Sequence, residues 1–312
     1  MAARRVVGID AGGTKLLGGV VDEQLHVHHR LHRLWRGSER QEVLDLFVEV
    51  AEEAFAAEPD ADAVGFGIPS LLDRDRAVSL ECVHLPLKGV PFRDLMSERL
   101  DRPVVVDNDA NCALLAEARA GAAKGATDAL LLTLGTGIGG GILAGGQVYR
   151  GSGSAGELGH TVIDLEGDPC TCGSRGCLET VASGPAIAAA GGLAADREPE
   201  SALGKAKAAG REVTGSLVTE LAGEDDPAAV EVLDGVGRKL GVGLASLANA
   251  FSPEVIVVGG GASAAGELLL GPARDELKRR ALGPNREVPV VAAHFGDEAG
   301  MLGAAQLALE ER

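Results

Sequence analysis

VVGIDAGGTK, Val6 to Lys15, is a short apolar run that ends on an acid and breaks into glycine. Val6, Val7 and Ile9 predict a strand, and Gly12 and Gly13 predict a tight turn just after Asp10. Without Cβ atoms such a turn can bring backbone N–H groups against anionic oxygens. Thr14 can donate a hydrogen bond there and Lys15 supplies positive charge. This stretch matches neither GxxxxGK[ST] nor GxGxxG, so it is not a P-loop or a dinucleotide fingerprint. A plain strand-to-hairpin turn uses the same residues, and Gly18 to Val21 reads as a second strand. The stretch gains its meaning by recurring.

It recurs twice. ALLLTLGTGIGGGI, Ala129 to Ile142, is an apolar strand, a Gly135-Thr136-Gly137 loop and another strand. VIVVGGGAS, Val255 to Ser263, is a strand apolar on both faces that opens into Gly259, Gly260 and Gly261, then a helix-like stretch. A strand of that kind is buried in a sheet covered on both sides. Glycine loops at such strand ends suit a nucleotide's phosphates and adenosine.

A fourth strand end carries acids. In PVVVDNDANCALLAEARAG, Val104 to Val106 predict a strand and Ala110 to Ala120 a helix of strong helix formers. Asp107, Asn108 and Asp109 fall between them, where open α/β sheets place their ligands. A lone Asp or Asn at that point is also an ordinary helix cap.

The flanking segments keep the α/β rhythm. Helices are predicted at 41–58, 91–100, 227–249 (capped by Asp225 or Asp226) and 299–310, with strands at 63–68 and 288–293. In 186–211, Gly191-Gly192 and Pro199 predict interrupted short helices.

HTVIDLEGDPCTCGSRGCLE, residues 160–179, holds three of the five cysteines. His160, Cys170, Cys172 and Cys177 are a complete tetrahedral set for zinc. Four protein ligands leave no open position, so the metal is predicted to be structural. Pro169, Gly173 and Gly176 let a short loop wrap the ion. Cys82 and Cys112 read as small core residues. The histidines at 26, 28 and 29 suggest a second metal site but read more simply as surface residues.

Composition closes off other classes. A net charge of −17 argues against non-specific nucleic-acid binding and against docking on anionic membranes. No export signal or membrane span is visible, and an odd number of cysteines fits a reducing cytoplasm. Only 3% of residues are aromatic, so the cores must rest on Val, Leu, Ile and Ala.

DAGGTK, DNDAN, LTLGTGIGGGI, GELGH, the His/Cys cluster ending in GCLE, and VVGGGAS together resemble the ROK family of sugar kinases and regulators. These segments span residues 8–263. The resemblance implies a two-domain actin-like ATPase (ribonuclease H-like) α/β fold with an interdomain cleft. Residues 1–109 plus 297–312 would form the small domain and 110–296 the large one. It implies Asp109 as the general base, with Asn108, Glu157, His160 and Glu179 on the sugar. Asp10, Gly12, Gly13, Thr14, Lys15, Thr136 and Gly137 would serve the ATP phosphates and Mg²⁺, and Gly259, Gly260 and Gly261 the adenosine. Phosphorylation of glucose to glucose 6-phosphate by Mg·ATP, by a homodimer, is the expected activity. N-acetylhexosamine kinase, fructokinase and polyphosphate-using glucokinase are the neighbouring enzyme readings. A sugar-binding regulator would carry a helix-turn-helix segment ahead of the first glycine loop, where nine residues stand. Two positions depart from the family pattern: Ser70, where the resemblance implies glycine, and His84, where it implies a sugar-touching asparagine.

Overall fold

The protein is described here from a computed structural model covering residues 3–12, 15–34, 39–82 and 85–311. In chain order, β1 (Arg5–Ala11), β2 (Lys15–Asp22), β3 (Val27–Leu34), α1 (Arg40–Ala57), β4 (Val64–Ile68), β5 (Ser70–Leu72) and β6 (Ser79–Cys82) come first. Then follow α2 (Phe92–Leu100), β7 (Val104–Asn108), α3 (Asp109–Ala120), β8 (Ala129–Leu134), β9 (Ile138–Ala144) and β10 (Gln147–Val148). Next are α4 (Glu179–Ala182), α5 (Gly184–Arg197), α6 (Ala202–Ala208), α7 (Gly215–Gly223) and α8 (Pro227–Phe251). The chain ends with β11 (Val255–Gly259), α9 (Glu267–Arg280), β12 (Val290–Ala292) and α10 (Ala299–Glu310). Two compact units result. The first comprises Met1–Gly125, Gly141–Gly156 and Asp297–Arg312, and the second Ala126–Gly140 and Glu157–Gly296.

The first unit is built on a sheet of order β3-β2-β1-β4-β7. β1, β2 and β3 run antiparallel, whereas β4 and β7 run parallel to β1. Register places Asp10 beside Gly67 and Gly67 beside Asp107, so three strand ends line up. Gly8 and Gly65 lie under α10, where a Cβ would run into the backbone oxygens of Met301 and Ala304. Their bare backbones let the last helix lie directly on the sheet. Beneath the other face, Phe47, Phe66 and Phe92 meet edge to face, with centroids 5.1–5.6 Å apart. Three of the six phenylalanines therefore knit one core.

The second unit holds β8, β11 and β12, which run parallel in a sheet of order β10-β9-β8-β11-β12. The chain passes from one unit to the other within β9. Every residue of β11 is buried, as its unbroken apolar run predicts. α8 starts with Pro227 behind an Asp226 cap, whose side chain accepts from the Ala229 N–H.

Two local readings need correction. α5 runs unbroken through Gly191-Gly192, because Gly191 is a contact surface: a Cβ there would meet Val218 of α7 at 2.5 Å. After Gly261 the chain makes a 3₁₀ turn, Gly261–Ala265, and α9 starts only at Glu267. Ser70 is buried and bonds the Ser79 hydroxyl (2.6 Å) and the Glu81 carbonyl (2.9 Å), pinning the β5–β6 hairpin. Of the N-terminal histidines, His28 bonds the buried Asp22 carboxylate at 2.8 Å. Among the described residues no helix is long and apolar enough to cross a membrane.

Candidate active site

In the first unit the acids at the strand ends converge. Asp10 stands one residue from the end of β1 and is half-buried, but its Oδ1 is shut off from solvent and has no hydrogen-bond partner among the described residues. Small neighbours make the room. A Cβ on Gly67 would stand 3.3 Å from Asp10 Oδ1 and 3.5 Å from the Asp109 Cα, and one on Gly300 would enter the Asp10 carboxyl. Burial pushes the Asp10 carboxyl up to about 8; the Asp109 charge adds to the rise and Lys15 opposes it. Lys15 is itself paired with Asp297. A buried carboxylate oxygen without a partner, among acids, fits a divalent cation such as Mg²⁺.

Asn108 turns out to be the cap of α3: its Oδ1 accepts from the N–H groups of Ala110 (2.9 Å) and Asn111 (3.3 Å). Asp109 is then the first residue of the helix, carried on a fixed turn. Gly12 closes the β1–β2 hairpin by donating to the Lys15 carbonyl at 2.9 Å. That turn leads into a strand, so no helix start stands behind it. Gly13, Thr14 and His84 lie outside the described residues.

The second unit brings the other two glycine loops together, although about 120 residues separate them. Gly260 has φ +81°, and a Cβ there would come within 2.6 Å of the Leu134 backbone. The Gly135 carbonyl accepts from the Gly184 N–H (2.8 Å) at the start of α5, and the start of α7 at Gly215 abuts Gly184. Thr136 is exposed at the loop tip. Glycine loops beside two capped helix starts form a surface suited to anionic oxygens.

The His/Cys loop is assembled as the residues predict. Gly173 and Gly176 take positive φ, and a Cβ on Gly176 would strike the Asp164 carbonyl. The four ligand atoms of His160, Cys170, Cys172 and Cys177 all lie within 4.8 Å of one another. Cys170 Sγ stands 3.5 Å from His160 Nδ1, and Cys172 Sγ 3.8 Å from Cys177 Sγ. A tetrahedral zinc with ordinary bond lengths requires edges of about 3.6 Å (N to S) and about 3.8 Å (S to S). The donor set therefore fits zinc. The other ring nitrogen, Nε2, faces the Glu157 carboxylate at 3.8 Å. Glu179 joins this loop to the Thr136 loop. Its Oε2 accepts from the Ile138 N–H at 2.9 Å, and its Oε1 lies near Thr171 Oγ1 and Cys170 Sγ.

Sequence reading missed Gly67, Asp297 and Gly300 around Asp10, and Gly184 and Gly215 beside the second glycine loop. None carries a local signal. Each matters through a neighbour distant in sequence.

Residues 6–311 match the ROK family. The chain is 37% identical to a glucokinase of Streptomyces coelicolor over 97% of each chain. A solved structure of a ROK family glucokinase from Streptomyces griseus, in complex with glucose and AMPPNP, superposes with a TM-score of 0.89 at 36% identity, covering 98% of this chain and 100% of that one. A putative xylose repressor of Caldicellulosiruptor is 29% identical, over 98% of this chain and 78% of the relative.

Proposed function

We propose a substrate and a division of labour for this chain, which belongs to the ROK family and is an ATP-dependent sugar kinase of the actin-like ATPase fold. The acceptor is a hexose, glucose first, and the product is glucose 6-phosphate. The carrying observation is Asp109, set on the first turn of α3 near Asp10 and its buried, unpartnered Oδ1.

Asp109 accepts the proton of the acceptor hydroxyl. That oxygen forms the new bond to the γ-phosphorus as the bond from phosphorus to the ADP oxygen breaks. An aspartate is a weak base, so the proton leaves late, when the oxygen has already begun to bond. Glu157, His160 and Glu179 hold sugar hydroxyls, with Asn108 beside the base. Gly12, Gly13, Thr14, Lys15, Thr136 and Gly137 contact the ATP phosphates, and Gly259, Gly260 and Gly261 line the adenosine. Asp10 would hold Mg²⁺, and bound Mg²⁺ would supply the neutralising charge that phosphoryl transfer needs. His160, Cys170, Cys172 and Cys177 would hold zinc, which would fix the His160 ring in one orientation and leave Nε2 for sugar.

The test is ADP release with Mg·ATP across glucose, mannose, fructose, N-acetylglucosamine and N-acetylmannosamine. Glucose is expected to give the highest kcat/KM, and Asp109→Asn to lower kcat by about 10²–10⁴-fold. Turnover restricted to an N-acetyl sugar would replace glucose as the substrate. An Asp109→Asn enzyme as fast as wild type would remove Asp109 from its role.

A further inference from the structure

Asp107 sits near the end of β7 with its side chain 4% exposed, two residues before the proposed base. One carboxylate oxygen accepts from the Asn108 N–H (2.8 Å) and from Asn111 Nδ2 (3.0 Å). The other takes both Nε and Nη2 of Arg150, each at 2.6 Å. A second guanidinium, that of Arg76, stands 3.8 Å away. Arg76 gets there from a left-handed backbone, φ +51°, which a non-glycine residue adopts only at a cost.

Both partners of this carboxylate reach the chemistry. Asn108 and Asn111 belong to the cap and first turn that carry Asp109. Arg150 opens the loop that runs on into Glu157 and His160. Its carbonyl accepts from the N–H groups of Gly153 (2.8 Å) and Ala155 (3.2 Å), so the residue shapes that loop as well as anchoring it. A buried ion pair is a poor means of gaining stability, because desolvation offsets attraction. Its direction is what an apolar pair would lack.

We propose that Asp107 and Arg150 are positioning residues for phosphoryl transfer: their charged fork fixes the first turn of α3, and so the carboxylate of Asp109, against the loop that precedes Glu157. This rests on the reading of Asp109 as base. Displacing a reacting group by about 1 Å can cost about 10²-fold in rate.

The experiment is steady-state kinetics of Arg150→Ala, Arg150→Lys, Asp107→Asn and Asp109→Asn, with melting curves for each. In Arg150→Ala, kcat should fall about 10²-fold and the sugar KM rise, while the ATP KM stays within about twofold. Added guanidinium ion should restore kcat of Arg150→Ala by about tenfold and do nothing for Asp107→Asn. Arg150→Lys keeps the charge without the fork and should recover only part of the rate. If Arg150→Ala does not fold, the split between kcat and ATP KM in Arg150→Lys decides. Wild-type kcat in the Arg150 variants, or a lowered melting temperature with no guanidinium rescue, overturns the proposal. Should Asp109→Asn be inert while Arg150→Ala is fast, the positioning role alone fails. Should Asp109→Asn be fast, the base assignment fails first.

Discussion

Asp10 shows at a single residue how function and stability oppose each other. Its folded-state pKa is raised from 3.8 to about 8, chiefly by burial. A raised folded value means that the folded protein binds the extra proton. Its stabilising contribution is complete below pH 3.8 and is lost as pH climbs through about 8. Across that window unfolding free energy falls by about 1.4 kcal/mol per pH unit from this group alone. Asp10→Asn removes the slope. In thermal melts without Mg²⁺, the variant should therefore gain on wild type as pH rises from 5 to 8, although its turnover collapses. Parallel pH profiles for the two proteins would show that Asp10 is not buried in the way described. Mg·ATP should reverse the order, because a cation beside the carboxylate favours its charged form.

At the level of elements, VVGGGAS is legible as a strand and a glycine loop, but the work of each glycine is not. Gly260 needs its left-handed φ and has no room for a Cβ beside Leu134, whereas Gly261 has open space and an ordinary φ. Gly260→Ala should cost about 2–4 kcal/mol, the sum of backbone strain and overpacking, and Gly261→Ala almost nothing. Equal denaturant midpoints for the two variants would refute this difference. The same limit explains the other misreadings. Gly191 looks like a helix breaker until Val218 is seen against it, and a 3₁₀ turn after Gly261 leaves no mark in composition. Strands and strand-end loops were readable because their patterns are local. The acid cluster was readable in part: DNDAN marks the site, but the capping of α3 by Asn108 and the grip of Arg150 on Asp107 depend on packing. The His/Cys loop is the opposite case. Its ligand types, glycines and short span lie within one segment, so residues 160–177 expose almost the whole design.

For the whole molecule, the informative fact is that all four residues proposed to hold zinc belong to one unit. The core of Phe47, Phe66 and Phe92 belongs to the other. Metal loss should thus be felt unevenly along the chain. Without zinc, the loop keeps its turns at Gly173 and Gly176 but loses the tie between His160 and the cysteines. Glu179 then extends the effect, because the carboxylate beside Cys170 also accepts from the Ile138 N–H. Hydrogen exchange read peptide by peptide can follow this. A zinc chelator should speed exchange across 158–178 and, more weakly, around Ile138, while β1, β4 and β7 exchange as before. The same treatment should raise the sugar KM, since His160 would lose its fixed ring. Glu179→Ala should abolish the spread to Ile138 by exposing that N–H from the start, without changing the zinc content. Unaltered exchange over 158–178 after chelation would mean that the four residues hold no metal. Faster exchange throughout β1, β4 and β7 would mean that the loop supports the whole fold, which the separate phenylalanine core argues against.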